Sequence, residues 1–260
     1  MSDVPPADRA ALDIAVRILA RAGELSARRF FAEGGFSLKD DGTEVTAADM
    51  DVENLIRAEL ATAFPGDGVL GEEAGESAGA SGRRWVVDPI SGTAFFTRRM
   101  PLFANLLALE DAYGPALGIV NLPVQRELVF AGRGLGCWRL IGPGDRVAAC
   151  RVGSRADLDG AVTLAMNQQT WPTDLVTALH RRVDLVGAIN HPAAHVVTGR
   201  VDAAVITGQS YDDLAPLPVI VAEAGGRVTD LSGAPVLSGD GSVLITNGRF
   251  HDEFLALAAV

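Results

Sequence analysis

Trp85-Val86-Val87-Asp88-Pro89-Ile90-Ser91-Gly92-Thr93-Ala94-Phe95-Phe96 is the stretch from which the rest of the chain can be read. Three strand-favouring residues run into an aspartate, and Pro89 stops the strand because it has no amide hydrogen to give to a ladder. Asp88 therefore stands at a strand end and not on a solvated helix face. Val69-Leu70-Gly71-Glu72-Glu73 has the same layout and puts Glu72 at the end of another strand. Strand-end carboxylates from neighbouring strands can converge on one point, and a hard cation such as Mg²⁺ takes oxygen ligands of this kind. Either residue alone also fits a side chain that merely solvates a turn. Asp212-Asp213 opens an apolar helix, where an aspartate accepts backbone amides and suits the helix dipole. Together with Asp88 and Glu72 it supplies the remaining carboxylate for a centre of two or three metal ions.

The composition narrows the classes of function. The chain has 260 residues, 48% hydrophobic and 21% charged, so it can bury a core and is not disordered by composition. Its formal charge of −11 comes from 33 acidic against 22 basic residues, and Lys39 is the one lysine. A P-loop needs a lysine after a glycine-rich turn, and no Gly-Lys-Thr or Gly-Lys-Ser occurs, which excludes Walker-type chemistry. An acidic surface repels a phosphate backbone, so nucleic acid is not an expected partner. The same repulsion means that an enzyme handling a phosphate ester would need metal ions. Cys137 and Cys150 are too few for a disulfide framework or a cysteine zinc site, and the four histidines form no His-Glu-x-x-His motif. No apolar run reaches the roughly 18 residues of a membrane span, and Met1 to Ala10 is polar. A soluble, cytoplasmic protein with no membrane partner is the expectation.

Patterning predicts a long helix over Pro5 to Phe31, then a polar turn region to Glu44. A second helix starts at Thr46, where Thr46-Ala47-Ala48-Asp49 has a capping-box layout with Val52, Leu55, Ile56 and Leu60 as its buried stripe. Short apolar runs follow to Ala131 and read as closely spaced strands of an antiparallel or mixed sheet. The later half alternates strands with helices, including 173–182, 191–198 and one helix over Asp212 to Ala224. The expected organisation is an N-terminal α+β lobe over 1–150 that carries the metal-site motifs and a C-terminal α/β lobe over 151–260 that completes the site.

At this point Trp85 to Phe96 resembles the signature W-[IV]-[IV]-D-P-[IL]-D-G-T-x-x-F of the inositol monophosphatase superfamily. Asp212 to Gly226 resembles its second signature, W-D-x-A-x-x-x-x-[IV]-x-x-E-A-G-G, with Asp213 aligned by its distance from Glu223. Gly71-Glu72-Glu73 matches the family's G-E-E, and Lys39 through Val45-Thr46 to Asp49 matches its K-x(n)-V-T-x-x-D segment. The order and spacing hold from about residue 8 onward. The resemblance implies an α/β (α+β) chain with the layered αβαβα sugar-phosphatase fold, Mg²⁺-dependent hydrolysis of a small phosphomonoester, and a homodimer. Carried over by position, Glu72, Asp88 and the Ile90 carbonyl would hold the first ion. Asp88 and Asp213 would hold the second, with Ser91 at a ligand position. Asp49 and Thr93 would orient the attacking water next to Glu72. Gly92 and Thr93 would contact the phosphate, while Gly187, Ala188, Ile189 and Lys39 would lie on the substrate side.

Four departures bear on function. Ser91 stands where the signature has a second aspartate, and a neutral hydroxyl is a far poorer Mg²⁺ ligand than a carboxylate, so a weakened second site is expected. Asp212 stands where the signature has tryptophan, which adds a carboxylate that could compensate. The loop aligned with the family's G-[ST]-A reads Gly187-Ala188-Ile189, and Ile206 replaces a substrate-binding carboxylate, leaving fewer hydrogen-bonding groups for a polyol. Asp213 to Pro218 and Val69 to Glu73 look most like the histidinol-phosphate phosphatase branch. The principal expectation is a phosphomonoesterase acting on an inositol-phosphate-like or histidinol-phosphate-like ester. The alternative is an impaired family member that binds a ligand or a protein.

Overall fold

Asp8 starts the first element: its carboxylate accepts the Ala10 amide at 2.8 Å and caps α1 (Arg9–Phe31). In the computed structural model, which describes residues 4–32, 37–38, 44–142, 146–168, 171–187 and 191–258, the chain then pairs β1 (Ser37–Leu38) with β2 (Glu44–Val45). Thr46 caps α2 (Ala47–Ala63) with the expected capping box, the Asp49 carboxylate accepting the Thr46 amide at 2.7 Å. Along α1, Leu12, Ala15, Leu19, Ala22 and Ser26 recur at helical spacing and are buried.

Eight strands form the first sheet. They are β3 (Gly68–Gly71), β4 (Gly75–Ser77), β5 (Arg84–Ser91), β6 (Ala104–Asp111), β7 (Gly114–Leu122), β8 (Glu127–Gly132), β9 (Gly136–Ile141) and β10 (Arg146–Ala149), with α3 (Thr93–Thr97) between β5 and β6. Their order is β10-β9-β8-β7-β6-β5-β3-β4, and every neighbouring pair is antiparallel except β3 with β5. That parallel pair brings two chain segments to the same sheet end. Gly71 lies opposite Val87, so Glu72, just past the end of β3, and Asp88, inside β5, come side by side.

The second sheet has the order β12-β11-β13-β15-β14, built from β11 (Val162–Ala165), β12 (Asp184–Gly187), β13 (Ala203–Ile206), β14 (Arg227–Thr229) and β15 (Val243–Thr246). Helices α4 (Thr173–Arg182), α5 (Pro192–Val197), α6 (Tyr211–Leu214), α7 (Leu217–Glu223) and α8 (His251–Ala258) surround it. Three apolar cores account for the layering. Leu12, Leu19, Val52, Ile56, Trp85 and Ile119 join α1 and α2 to one face of the first sheet. Leu106, Val129, Val196, Ile220 and Ile245 join its other face to α5, α7 and the second sheet. Leu175, Leu179, Val205, Leu244 and Phe254 join that sheet to α4 and α8. The result is a mixed α/β chain in five layers, αβαβα, with apolar side chains filling each interlayer space.

Four expectations change. Strand β5 does not stop at Pro89 but runs on to Ser91, because an irregularity in the ladder to β6 between Asp88 and Ser91 accommodates the proline. The first helix begins at Arg9, because Asp8 and not Pro5 supplies the cap. The single helix over Asp212 to Ala224 is two helices, α6 and α7, because Pro216 offers no amide to the turn before it. Helix α8, too short for a clear periodic signal, was not foreseen. Among the described residues, no helix is long and apolar enough to cross a membrane.

His251, only 1% exposed at the start of α8, clamps β14 to β15. Thr229 Oγ1 donates to the Asp230 carbonyl at 2.7 Å, so the imidazole Nε2–H donates to Thr229 at 2.9 Å and Nδ1 accepts from Thr246 at 2.9 Å. Burial, helped by the Arg227 charge, pushes this imidazole down to about 4. The unfolded chain takes up a proton near the usual histidine value, whereas the folded chain does so only near 4. The neutral clamp thus stabilises the fold above that usual value, and its contribution is lost as pH falls toward 4. The stability gap between wild type and His251→Gln, read from urea midpoints, is expected to shrink by on the order of 2 kcal/mol between pH 7 and pH 4.5. A gap independent of pH would contradict this.

Candidate active site

The turn that carries Glu72 is held from below by α2. Glu53, 1% exposed, lies one helical turn beyond Asp49 on the buried face. Its carboxylate accepts the Glu73 amide at 2.8 Å and the Ala74 amide at 3.1 Å, and pairs with Arg57 at 2.7 Å. Arg57 in turn donates to the Gly75 carbonyl. The carboxylate lies so close to β3 that a Cβ on Gly71 would come within 2.2 Å of Glu53 Oε1. Gly71 is therefore required by close approach and not by its dihedral angles.

The Asp88 segment leaves the ladder through an irregularity. Asp88 pairs with Leu106 and Ser91 with Ala104, so the extra residue lies in the Pro89-Ile90 step and re-aims the chain. Asn105 fixes this step by donating to the Pro89 carbonyl at 2.6 Å, and its side-chain oxygen accepts from Asn121 at 3.1 Å. Asn121 also donates to the Leu19 carbonyl of α1 at 3.1 Å. Gly92 follows at φ 89°, a conformation favoured by glycine, and starts α3. The Thr93 hydroxyl lies 3.0 Å from the Ile90 carbonyl and 3.4 Å from Asp49 Oδ1.

Helix α6 brings in the remaining carboxylates. Ser210 and Asp213 form a capping box, in which Asp213 Oδ2 accepts from the Ser210 amide at 3.3 Å and its hydroxyl at 3.0 Å. Ser91 Oγ donates to the other oxygen of Asp213 at 2.9 Å. The Tyr211 hydroxyl donates to Glu110 and meets Arg84 at 3.3 Å, which anchors α6 to β5 and β6. Glu72, Asp88 and Asp212 each offer one oxygen to a cluster in which all lie within 4.8 Å of one another. Asp88 is 2% exposed, and its Oδ1 has no hydrogen-bond partner. Burial, followed by the charges of Asp213, Glu72 and Asp212, holds the Asp88 carboxyl well above the usual range. Burial and then Asp213 push Asp212 up to about 6. An all-carboxylate donor set with a buried, unpartnered oxygen fits a hard divalent cation such as Mg²⁺.

A cavity of ≈ 220 Å³ adjoins this cluster, lined by Ser91, Gly92, Asn167, His191, Ile206, Gln209 and Asp213 among others. His191 Nδ1 is buried without a partner, and burial pushes this imidazole down to about 4. The site residues expected from the sequence divide accordingly. Asp49, Ile90 and Thr93 form one hydrogen-bonded set, Ser91 with Asp213 a second beside Gly92, and Glu72 and Asp88 share the carboxylate cluster with Asp212. Gly187 ends β12, is exposed and does not line the cavity. Lys39, Ala188 and Ile189 lie outside the described residues. Sequence reasoning missed Glu53, Asn105 and Asn121. Their signal was a polar residue on an apolar face: Glu53 on the α2 stripe, Asn105 and Asn121 inside apolar strands.

The inositol monophosphatase family profile matches residues 8–260. The chain is 38% identical to a histidinol-phosphatase of Mycobacterium tuberculosis over 253 residues, 94% of this chain and 96% of that protein. It is 34% identical to an inositol-1-monophosphatase of Mesorhizobium japonicum, with 92% of each chain covered. An inositol monophosphatase structure from Thermotoga maritima superimposes with a TM-score of 0.86 at 27% identity, covering 96% of this chain and 97% of the other. Fold and relatives together define a phosphoric monoester hydrolase. The chain belongs to the inositol monophosphatase family.

Gly71→Ala tests the close packing under the Glu72 turn. The new methyl must displace a carboxylate held by two amides and Arg57, so a loss of about 1–3 kcal/mol in urea unfolding with EDTA present is expected. A Gly71→Ala protein as stable as its parent would show that Glu53 is not held as described.

Proposed function

We propose that this protein hydrolyses a small phosphomonoester with Mg²⁺, histidinol phosphate first among the candidates and an inositol phosphate second. The observation that carries the reading is the buried, unpartnered Asp88 oxygen within 4.8 Å of carboxylate oxygens from Glu72 and Asp212. Glu72, Asp88 and the Ile90 carbonyl are assigned to one ion and Asp88 with Asp213 to a second, weakened where Ser91 replaces a carboxylate. Bound there, the metal would offset the charge of the phosphate and lower the pKa of water, so no protein nucleophile is needed.

The protein's own groups then orient and exclude. The Thr93 hydroxyl, between Asp49 and the Ile90 carbonyl, can accept a hydrogen bond from the attacking water and pass its own proton toward Asp49. Gly92 and Thr93 are assigned to the phosphate. The adjoining cavity, with Asn167, His191 and Gln209 among its polar lining groups and Ile206 and Met166 among its apolar ones, suits an alcohol moiety with a few donors better than a fully hydroxylated ring. The support for histidinol phosphate is the name of the 38% identical relative together with this mixed lining. The division into lobes 1–150 and 151–260 and a homodimer belong to the same reading.

Phosphate release from histidinol phosphate and inositol 1-phosphate, with Mg²⁺ and with EDTA, tests it. Turnover is expected only with Mg²⁺, and Asp88→Asn is expected to lower kcat by about a thousandfold or more. A folded protein that releases no phosphate from either ester at millimolar Mg²⁺ would favour the impaired, ligand-binding alternative that Ser91 raises.

A further inference from the structure

We propose that Cys137 and Cys150 are a redox-active pair, with Cys150 the nucleophile toward a small peroxide and Cys137 the resolving thiol, and that their disulfide staples the chain where it crosses from the first sheet to the second. Neither cysteine belongs to the carboxylate cluster or lines its cavity. The ladder sets the two residues together. Ala149 of β10 lies opposite Trp138 of β9, and one step further the Cys150 amide donates to the Cys137 carbonyl at 2.8 Å. Hydrogen-bonded opposite residues of an antiparallel pair share a face and have Cα atoms about 5.5 Å apart, inside the roughly 4.4–6.8 Å that a disulfide spans. Both side chains enter the same apolar core, each 3% exposed. No other cysteine occurs in the chain, so no other thiol competes for either.

The two thiols are chemically unequal. Arg139 stands two residues along β9 from Cys137, hence on the same face, and its Nε–H is buried without a partner. Arg139 and Arg200 both reach Glu127 through their other nitrogens. A hydrogen bond from Cys137, helped by the Arg139 and Arg200 charges, holds the Cys150 thiol below its ordinary value against burial and Glu127. The same bond, burial and the Glu223 charge push Cys137 up. Cys150 is therefore the thiol that ionises first, and the thiolate is the form that attacks. Burial excludes bulky oxidants, but hydrogen peroxide is little larger than water. The Cys150 thiolate attacks one peroxide oxygen, the O–O bond breaks, and with one proton taken up a sulfenic acid and a water form. The Cys137 sulfur then attacks the Cys150 sulfur, gives up its proton, and the sulfenic hydroxyl leaves as a second water. The bridge would lie between two contacts to the end of α7: Val152 donates its amide to the Ala224 carbonyl at 3.1 Å, and Glu223 accepts the Gly134 and Gly136 amides at 2.7 Å each.

The test treats the folded full chain in EDTA with stoichiometric hydrogen peroxide and reads intact mass and free thiols in denaturant. Wild type is expected to lose both free thiols and two hydrogens in mass, with no oxygen gained, and to recover them with dithiothreitol. Its urea midpoint is expected to rise on oxidation, because the bridge cross-links the segment 138–149 in the unfolded chain. Cys137→Ala is expected to gain one oxygen at Cys150 at least about tenfold faster than Cys150→Ala gains one at Cys137. Urea midpoints of the reduced variants serve as the fold control, and the serine variants replace an alanine variant that does not fold. Wild type that keeps both thiols, or gains oxygen instead of losing hydrogens, overturns the pair. Equal rates in the two variants overturn the role of Cys150, and an oxidised midpoint at or below the reduced one overturns the staple.

Discussion

A carboxylate buried with an unsatisfied oxygen next to other carboxylates is a charge that a protein interior tolerates badly. Asp88 is in that position, with Asp213, Glu72 and Asp212 all close by. An unpaired buried charge costs several kcal/mol, so the group must take up a proton or meet a cation. The surrounding structure holds the carboxylates in place in spite of this. The parallel pairing of β3 with β5 sets Glu72 beside Asp88, and the two helices of the outer layer brace both turns.

The bracing runs through buried polar groups and not through the apolar cores. Glu53 binds the amides after Glu72, Asn105 holds the Pro89 carbonyl before Ile90, and Tyr211 fixes α6 through Glu110. Each is a hydrogen bond between segments far apart in sequence, and each ends one or two residues from a carboxylate or carbonyl of the site. A metal site needs this support, because ligand oxygens that wander by an ångström no longer meet at one point. The apolar cores supply the layers; the polar contacts fix where the strand ends stop.

Much of this was legible beforehand. The Thr46-Asp49 capping box, the strand end at Glu72 and the five layers follow from local patterning and from resemblance, and the structure bears them out, whereas Asp88 lies inside a strand that runs on to Ser91. The break between α6 and α7 was missed because apolar periodicity continues across Pro216, even though a proline cannot complete the preceding turn. Glu53 and Asn105 were missed because a polar residue on an apolar face gives no sign, in sequence, of which distant group it satisfies.

The sequence by itself determined that Glu72 follows a strand end and that the chain is an inositol monophosphatase family member, since strand stops, caps and motif spacing are properties of short segments. Only the tertiary structure decided how the two adjacent aspartates of α6 meet the site, Asp212 against Glu72 and Asp88 and Asp213 against Asp88 and Ser91. That arrangement depends on the rotation of a four-residue helix about its own axis. The rotation is set by Tyr211 against Glu110 and by Ser91 against Asp213, partners about a hundred residues away along the chain.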